Sequence, residues 1–509
     1  MNIFFSGCSL EDYFFISNNK TNTKKQISPQ KQVIKKEKIG QAKFEETDCF
    51  VDLAEDKKNN FKCGFLIVPE NRDKPDKKIK IAVLIFKAQD KSKLDPIVYL
   101  AGGPGMSALK NEFDFWKNYP SINAKQDFIL FEQRGIGFSE PALECPSYGE
   151  AYIKALQESN TQKKILLVKK AILNCRKEYQ QKGINLNFYK SADSAKDLED
   201  LRITLNYQKL NLLGSSYGTR LALTTIRDYP QSIKSALLDS VLPIEANLNI
   251  ENTIQFQLFL QNIFKECAAD SFCNKKYPNL EQVFFEILDD LAKNPFKLEI
   301  INAKESGFME MPFDDSQFLQ VVYRSISAIH PIEHFPKLIY QIKNKDFNEV
   351  KQLLFVETIL ADFISAGAHF AINCNEELPF EQNLPAKKDI YPQIGKYFSK
   401  EENMYFSICQ SWPSAIDPQQ SIENKPFKTN IPILIFSGRD DFITPFSWSQ
   451  EIAKNSSNIQ HLIFNQTMHV TFQFQAKCAI EIIKNFFQDP QKEINQSCVN
   501  EIPTKRSWQ

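Results

Sequence analysis

The chain has 509 residues, of which 42% are hydrophobic and 24% charged, with 62 basic side chains against 62 acidic ones. The apolar content excludes a chain that is disordered throughout, and the net charge of zero argues against a nucleic-acid binder. The sequence has no apolar run long enough to predict a transmembrane helix. Glycine is scarce, at 16 residues, or roughly 3% against a usual ~7%. Half of these glycines fall in four short segments, which are therefore the first places to look for function.

The N-terminal region is polar and holds a cysteine in an unusual context. Residues 18–43 are rich in Lys, Asn, Gln and Thr without a hydrophobic period, which predicts a solvated linker within a leader at 1–43. The sequence Phe4-Phe-Ser-Gly-Cys8 resembles a bacterial lipobox, which would make Cys8 a lipidated membrane tether of an exported protein. The apolar stretch is short and has no basic residues before it. A start codon assigned too late and an accidental match are therefore alternatives.

The other ten cysteines suggest an oxidising compartment. None of them has Cys-x-x-Cys spacing, which argues against a zinc site. An even number favours five disulfides in an exported protein, with ten buried thiols in a cytosolic enzyme as the alternative. Spacing alone does not fix which residues pair. The ten are Cys49, Cys63, Cys145, Cys175, Cys267, Cys273, Cys374, Cys409, Cys478 and Cys498.

Short apolar runs that alternate with helical stretches predict an α/β fold, with a mostly parallel sheet of about eight strands covered by helices on both faces. The predicted strands are 65–68, 79–86, 97–100, 128–131, 210–213, 235–238, 433–436 and 461–464. Residues 245–428 show helical spacing without a strand series, which predicts a mainly helical cap inserted into the fold. The core is thus expected at 44–244 and 429–498, followed by a tail at 499–509.

The sharpest functional signal follows the strand predicted at 210–213. The sequence Gly214-Ser-Ser-Tyr-Gly218 lies between this strand and a predicted helix, which is the setting of a Gly-x-Ser-x-Gly nucleophile elbow. A β-carbon at either glycine would clash in so tight a turn. The pattern predicts that Ser216 lies at the apex of the turn, with its Oγ at the carboxyl edge of the sheet and its backbone at a helix N-terminus.

A serine nucleophile needs a base, and the chain has five histidines. His469 follows the last predicted strand and so lies at the same carboxyl edge as Ser216, whereas His461 opens that strand at the opposite edge. The remaining three fall in the predicted cap and are interpreted as structural or surface residues: His330, His334 and His369. His469 is therefore the predicted base.

The base needs an orienting carboxylate, and two adjacent candidates follow the strand predicted at 433–436. They are Asp440 and Asp441, directly after the turn at Gly438. The spacing Gly-x-x-Asp-x-x-Thr-Pro selects Asp441 as the triad acid and leaves Asp440 as a solvated loop residue.

An acyl-transfer site also needs hydrogen-bond donors for the oxyanion. The predicted strand 97–100 runs into Ala101-Gly-Gly-Pro-Gly105, a loop almost without side chains in which a backbone N–H can face the reacting carbonyl. The N–H groups of Gly103 and of Tyr217, which follows the nucleophile, are the expected pair. An ordinary tight turn is the alternative.

These segments occur in a fixed order with two others: Gly102-Gly-Pro-Gly105, Glu132-Gln-Arg-Gly-Ile-Gly-Phe-Ser139, Gly214-Ser-Ser-Tyr-Gly-Thr219, Leu238-Asp-Ser240 and Gly438-x-x-Asp-x-x-Thr-Pro445. As a set they resemble the prolyl aminopeptidase family of α/β-hydrolases, and most closely its tripeptidyl-aminopeptidase-like branch, over about residues 44–498. The chain departs from the family at Ala101, Glu132 and Val470, where His, Asp and Gly are usual.

The resemblance implies a serine exopeptidase that uses no metal or cofactor and releases a single residue or a tripeptide from a free peptide N-terminus. The substrate's ammonium group needs a carboxylate, and the cap segment 371–376 is similar to the family segment that supplies one. That role falls to Glu376, with Glu377 as the runner-up, and a surface glutamate pair is the alternative. The resemblance also implies the disulfides Cys49–Cys63, Cys145–Cys175, Cys267–Cys273, Cys374–Cys409 and Cys478–Cys498.

Two other functions fit the same residues. A carboxylesterase or lipase would use the same triad and would turn over short acyl esters but no aminoacyl arylamides. A cell-surface binding protein on an inactive hydrolase scaffold is disfavoured because all three triad residues are present.

Overall fold

The computed structural model describes residues 42–53, 59–90, 94–302, 307–329, 331–383, 389–412, 422–454, 456 and 458–509. The predictions for Cys8 and for nearly all of the leader therefore concern residues outside the described part, as does the interpretation of His330.

The described residues form eleven strands. They are β1 (Lys43–Glu46), β2 (Phe61–Asn71), β3 (Lys74–Phe86), β4 (Ile97–Leu100), β5 (Phe128–Phe131), β6 (Leu210–Ser215), β7 (Ile233–Asp239), β8 (Phe296–Ile301), β9 (Phe308–Phe313), β10 (Ile433–Gly438) and β11 (Ile459–Phe464).

Nine of these strands form one sheet in the order β1-β2-β3-β5-β4-β6-β7-β10-β11. The three pairings from β1 to β5 are antiparallel, and the five from β5 to β11 are parallel. Each of the eight predicted strands lies within one strand of this sheet. The ninth strand, β1, was not predicted, because its sequence Lys-Phe-Glu-Glu is short and polar, as is usual at an exposed sheet edge.

Helices cover both faces of the sheet and also build most of the segment between β7 and β10. In the described ranges they are α1 (Ala108–Asn111), α2 (Phe113–Lys117), α3 (Pro146–Gln157), α4 (Thr161–Gln181), α5 (Ser191–Thr204), α6 (Tyr217–Asp228), α7 (Leu248–Ala269), α8 (Ser271–Lys276), α9 (Leu280–Lys293), α10 (Asp315–Arg324), α11 (Phe335–Lys343), α12 (Asn348–Leu360), α13 (Ala366–Glu376), α14 (Pro392–Cys409), α15 (Phe446–Lys454), α16 (Thr471–Phe474), α17 (Ala476–Gln488) and α18 (Ser497–Asn500).

Alternate residues of β3 show why the sheet is buried on both faces. Leu84 packs in one hydrophobic cluster with Trp116 and Phe486, whereas its neighbour Val83 packs in another with Leu221. Side chains of successive strand residues point to opposite faces, so each face needs its own layer of helices. The α/β fold with a mostly parallel sheet is therefore confirmed.

The cap, by which we mean the segment between β7 and β10, is mainly helical but not wholly so. Strands β8 and β9 pair antiparallel into a separate two-stranded sheet. The prediction of a cap without a strand series was wrong at this point. The sequence Phe-Lys-Leu-Glu-Ile-Ile of β8 alternates between apolar and polar residues, and only its third and fifth side chains are buried. This period of two was a short signal between long helical stretches.

The cap packs around one large hydrophobic cluster that also includes residues from before the nucleophile. Helices α3 and α4 contribute Tyr148, Tyr152 and Ile172 to the same cluster as Phe256 and Phe370 of the cap. The cover over the carboxyl edge of the sheet is thus assembled from two separate stretches of chain.

The five disulfides implied by the resemblance are confirmed. All five pairs are bonded in the structure, and two of them join elements near the sheet edge. Cys374–Cys409 ties α13 to α14, and Cys145–Cys175 ties α3 to α4. Among the described residues, no helix is long and apolar enough to cross a membrane.

Candidate active site

Ser216 lies at a strained turn between β6 and α6. Its backbone has φ +54° and ψ −125°, a conformation that a residue with a side chain adopts only when its surroundings force it. A β-carbon on Gly218 would overlap the Leu100 carbonyl oxygen, and one on Gly214 would lie 2.6 Å from the Gly218 oxygen. The Ser216 N–H donates to the Asp239 carbonyl at 3.0 Å. The glycines therefore do what the sequence suggested: they let strand and helix approach closely enough to present the serine.

His469 and Asp441 are in contact, and both are buried. The His469 Nδ1–H donates to Asp441 Oδ2 at 2.9 Å. The same carboxylate accepts the Thr444 hydroxyl at 2.8 Å and the backbone N–H groups of Ile443 and Thr444, both at 2.9 Å. Burial favours the protonated acid, but His469 and these donors outweigh burial and hold the pKa of Asp441 below its ordinary value. With Nδ1 protonated, Nε2 of His469 is the nitrogen able to accept a proton.

The loop that carries His469 is hydrogen-bonded to the end of β7, the strand next to the one that leads to the nucleophile. Asp239, at the end of β7, is paired in register with Ser215 of β6. Its carboxylate accepts the N–H groups of Thr471 and Phe472 at 2.8 and 2.9 Å, and the neighbouring Ser240 hydroxyl accepts the N–H of Val470 at 2.8 Å. The residues that directly follow His469 are thereby fixed at the edge where Ser216 lies.

Asp239 and Ser240 are functional residues that sequence reasoning did not identify. In the sequence they stand out only as part of the Leu238-Asp-Ser240 segment. The available signal was a carboxylate directly after the apolar run 236–238, where a buried anion must have hydrogen-bond donors. Burial raises the pKa of Asp239 to about 6 in spite of its backbone donors.

Asp440 is not a solvated loop residue, and that expectation was wrong. Its side chain is buried, and both of its oxygens accept hydrogen bonds from the Arg506 guanidinium, at 2.9 and 2.5 Å. Arg506 also donates to Glu266 of α7 at 2.7 Å. The two adjacent aspartates therefore face different partners, Asp441 towards His469 and Asp440 towards a cation on the C-terminal segment.

The other described histidines lie away from the base position. His461 is in β11 and contacts the Ser437 hydroxyl at 3.0 Å, and His334 contacts Glu349 at 2.8 Å. His369, in α13, contacts the Pro104 carbonyl oxygen.

The glycine loop after β4 lies against the nucleophile. A β-carbon on Gly102 would be 3.0 Å from Ser216 Cβ and 3.6 Å from its Oγ, while Gly103 has φ +110°. Tyr217 follows Ser216 directly as the first residue of α6. The structure thus places Tyr217 directly after Ser216, and it places Gly102, the neighbour of Gly103 in the chain, against the nucleophile. The role of Gly103 and Tyr217 in binding an oxyanion stays a prediction.

Glu132 accepts hydrogen bonds from the segment that follows the glycine loop. Its carboxylate accepts hydrogen bonds from the Ser107 hydroxyl and, at 3.2 Å, from the Leu109 N–H, both just beyond the loop. Burial raises the pKa of Glu132 to about 7, which these donors only partly counter. Glu132, which stands where Asp is usual in the family, therefore still supplies a carboxylate that accepts hydrogen bonds from the backbone and from a side chain.

Glu376 and Glu377 are both buried at the end of α13, so they are not a surface pair. Glu376 accepts hydrogen bonds from the Ser191 N–H and, at 2.7 Å, from the Ser191 hydroxyl, which is itself 2.6 Å from the Tyr217 hydroxyl. The Arg220 guanidinium lies 3.0 Å from Glu377 but 3.8 Å from Glu376. Burial raises the pKa of Glu376, and Arg220 and Ser191 partly oppose the shift. Within the described ranges, no group of three or more acidic, His or Cys side chains is arranged to hold a metal ion.

Family models match both parts of the chain. A model described as the alpha/beta hydrolase fold matches residues 95–305, and one described as TAP-like protein matches residues 391–498. The chain is an α/β-hydrolase with a TAP-like C-terminal part. This confirms the resemblance to the tripeptidyl-aminopeptidase-like branch.

This α/β-hydrolase is similar to curated relatives, to the first two below over most of its length and to the third over about a third of it. It is 27% identical to serine protease Hip1 of Mycobacterium tuberculosis, over 82% of this chain and 83% of that protein. It is 24% identical to the putative hydrolase YuaR of Escherichia coli, over 78% and 79%. The tripeptidyl aminopeptidase of Streptomyces lividans is 30% identical over 35% of each chain.

Proposed function

We propose that this α/β-hydrolase is a serine exopeptidase that releases single residues or tripeptides from the free N-terminus of peptides. Similarity to proteins named serine protease Hip1 and tripeptidyl aminopeptidase supports peptide hydrolysis. The observation that carries the proposal is Glu376, a buried carboxylate on a cap helix that is linked through one serine hydroxyl to the residue after the nucleophile.

The proposed reaction is acyl transfer through Ser216. Its Oγ attacks the scissile carbonyl carbon while His469 Nε2 takes the hydroxyl proton, and Asp441 holds the imidazole by its Nδ1–H. The N–H groups of Gly103 and Tyr217 bind the oxyanion of the tetrahedral intermediate. His469 then protonates the leaving amine, and water attacks the acyl-enzyme by the same steps and releases the N-terminal product.

Glu376 is suited to bind the substrate's ammonium group. It is 3% exposed, and its direct donors are the neutral N–H and hydroxyl of Ser191. The Arg220 guanidinium is 3.0 Å from Glu377 and 3.8 Å from Glu376, so Glu376 shares this cation with its neighbour. A buried carboxylate in this state gains from a cationic ligand, and a peptide ammonium under the cap needs an anion to offset its desolvation.

The test compares the parent with Glu376→Gln on a free-amine arylamide, its N-acetylated twin and a small acetate ester. We expect kcat/KM of the variant for the free amine to fall on the order of 30- to 5,000-fold, which corresponds to a loss of about 2–5 kcal/mol in transition-state binding. The ester should be hardly affected, because it presents no amine. Gln keeps an acceptor for Ser191 and removes the charge.

Glu377→Gln is the matched control, because its carboxylate faces Arg220 instead of Ser191. A selective loss in this variant alone would move the amine site to Glu377. If the parent cleaves the acetylated peptide as well as the free one, the exopeptidase proposal fails and an esterase takes its place. Pro-, Ala- and Ala-Ala-Pro-arylamides distinguish the release of one residue from the release of three.

We also propose that the protein acts after export from a bacterial cell. Five disulfides are consistent with an oxidising compartment. Thiol counting on denatured, unreduced protein from its native location should find at most the single thiol of Cys8. Around ten free thiols would place the protein in the cytoplasm. An acylated Cys8 as the first residue of the mature chain would establish the lipid anchor separately.

A further inference from the structure

Cap helix α13 is built against the glycine loop as well as against the proposed amine site. At its N-terminal end, the Ser365 N–H donates to the Gly105 carbonyl at 2.9 Å, and His369 Nδ1 lies 2.8 Å from the Pro104 carbonyl oxygen. A β-carbon on Gly105 would be 3.1 Å from the Ser365 oxygen and 3.3 Å from His369 Cβ. The loop that lies beside Ser216 is thus in van der Waals contact with this helix.

The His369 ring is held on both sides, which fixes its protonation. Its Nδ1 must carry a proton, because the Pro104 carbonyl can only accept. Its Nε2 lies 3.0 Å from the Asn373 amide nitrogen and 3.1 Å from the Tyr405 hydroxyl, so this nitrogen accepts. Burial lowers the pKa of His369 to about 4, although the Pro104 hydrogen bond raises it, so the ring is neutral at neutral pH.

The elements around the ring are tied together covalently. The disulfide Cys374–Cys409 joins α13 to α14, the helix that carries Tyr405. At the other end of α13, seven residues after His369, lies Glu376, about 10 Å further along the helix axis. The same rigid element therefore reaches from the glycine loop to the proposed amine site.

We propose that His369 is a positioning residue, which sets the loop of residues 102–105 against Ser216 through the Pro104 carbonyl and so aligns the oxyanion donor. In this arrangement, one cap helix positions both the oxyanion loop and the carboxylate for the substrate's amine. The inference rests on the proposed acyl-transfer reaction, but not on the preference for a free N-terminus.

Two polar substitutions of similar character separate the hydrogen bond from simple packing. In His369→Asn, the amide nitrogen can occupy the place of Nδ1 and donate to the Pro104 carbonyl. In His369→Gln, the amide lies one carbon further out and the donor is displaced from that oxygen. We expect His369→Gln to lower kcat by about 10²-fold, the usual loss for one oxyanion donor, with KM within about threefold of the parent. His369→Asn should recover most of this loss.

A second readout reports on the oxyanion loop itself. When a peptide boronate binds, the Ser216 Oγ adds to boron, the hydroxyl proton passes to His469, and the resulting tetrahedral anion faces the oxyanion donors. The product peptide, used as its neutral carboxamide, presents no anion to these donors. His369→Gln should weaken boronate binding by about the same factor as kcat and leave product binding unchanged. Thermal unfolding of each variant shows that the protein is folded.

Equal losses in the Asn and Gln variants, or a parallel fall in boronate and product affinity, would overturn the proposal, since either result means general packing. Unchanged kcat in folded His369→Gln would overturn it as well. The same measurements on a small acetate ester keep the test apart from the exopeptidase proposal, because ester hydrolysis also forms an oxyanion. If the parent does not discriminate between free and acetylated peptides, the ester arm still decides the role of His369.

Discussion

Replacing Asp441 with Asn tests the arrangement of the catalytic residues most directly. The carboxylate accepts two backbone N–H groups on Oδ1, and the His469 Nδ1–H and the Thr444 hydroxyl on Oδ2. The Asn side chain has one oxygen and one NH₂ group. If the oxygen were turned to His469, two buried N–H groups would lose their acceptor, at about 1–3 kcal/mol each. The oxygen therefore stays with the backbone, and the NH₂ group faces His469.

An NH₂ group at that position donates to Nδ1 of His469, which must then be unprotonated. The proton moves to Nε2, and the ring can no longer accept the proton of Ser216. Such an inverted tautomer usually costs about 10⁴-fold in kcat, or about 5.5 kcal/mol in the barrier. The assay is hydrolysis of an arylamide, with a small ester as a second substrate, and both should fall by a similar factor.

Asp440→Asn is the matched control, because its carboxylate faces Arg506 instead of His469. We expect it to lower kcat by less than about tenfold. If Asp441→Asn kept more than a tenth of the parent activity, or if Asp440→Asn were the more damaging change, the assignment of the acid would be wrong.

Two further predictions concern stability. Arg506→Ala leaves Asp440 buried without its cation and should lower the free energy of unfolding in urea by about 3 kcal/mol. Lys505→Ala removes an exposed neighbouring cation and should change that free energy by less than about 0.5 kcal/mol. Equal effects of the two variants would refute the role of the buried pair. Burial raises the pKa of Glu112 to about 7. The folded state therefore keeps a proton that the unfolded chain releases near pH 4.3. The free energy of unfolding thus decreases as the pH rises from about 4.3 to 7. Between pH 4.5 and 7.5 the parent should therefore lose about 3 kcal/mol relative to Glu112→Gln, and an identical pH dependence of the two would refute the shift.

The parallel strands and the nucleophile could be predicted from local sequence because their physical requirements are local. A strand covered on both faces carries a run of mostly apolar residues, and the strained turn at Ser216 needs glycines at 214 and 218. The polar edge strand β1 and the hairpin of β8 and β9 lacked such a requirement. The first is stabilised by pairing at an edge, and the second shows only a few residues of alternation.

The site residues could be predicted where their spacing within a short segment identified them. They could not be predicted where their role depends on a partner that is distant in the sequence. Asp441 was selected from its neighbour by the positions of Gly438 and Thr444. The partner of Asp440 could not be found in this way, because Arg506 lies 66 residues further along the chain. The role of His369 was missed for the same reason, since its partner Pro104 is 265 residues away.

Three buried carboxylates hold the loops around Ser216, and their pKa values differ in a way that supports the proposed roles. Glu132, Asp239 and Asp441 all accept backbone N–H groups from these loops. Burial raises the pKa of Glu132 and of Asp239, to about 7 and about 6, while the pKa of Asp441 is lowered. Only Asp441 accepts a hydrogen bond from His469. A carboxylate that stays ionised beside the imidazole stabilises the imidazolium formed when Ser216 attacks. The other two can bind backbone donors without meeting that requirement, so the electrostatics favour Asp441 as the residue that orients His469 and stabilises its imidazolium.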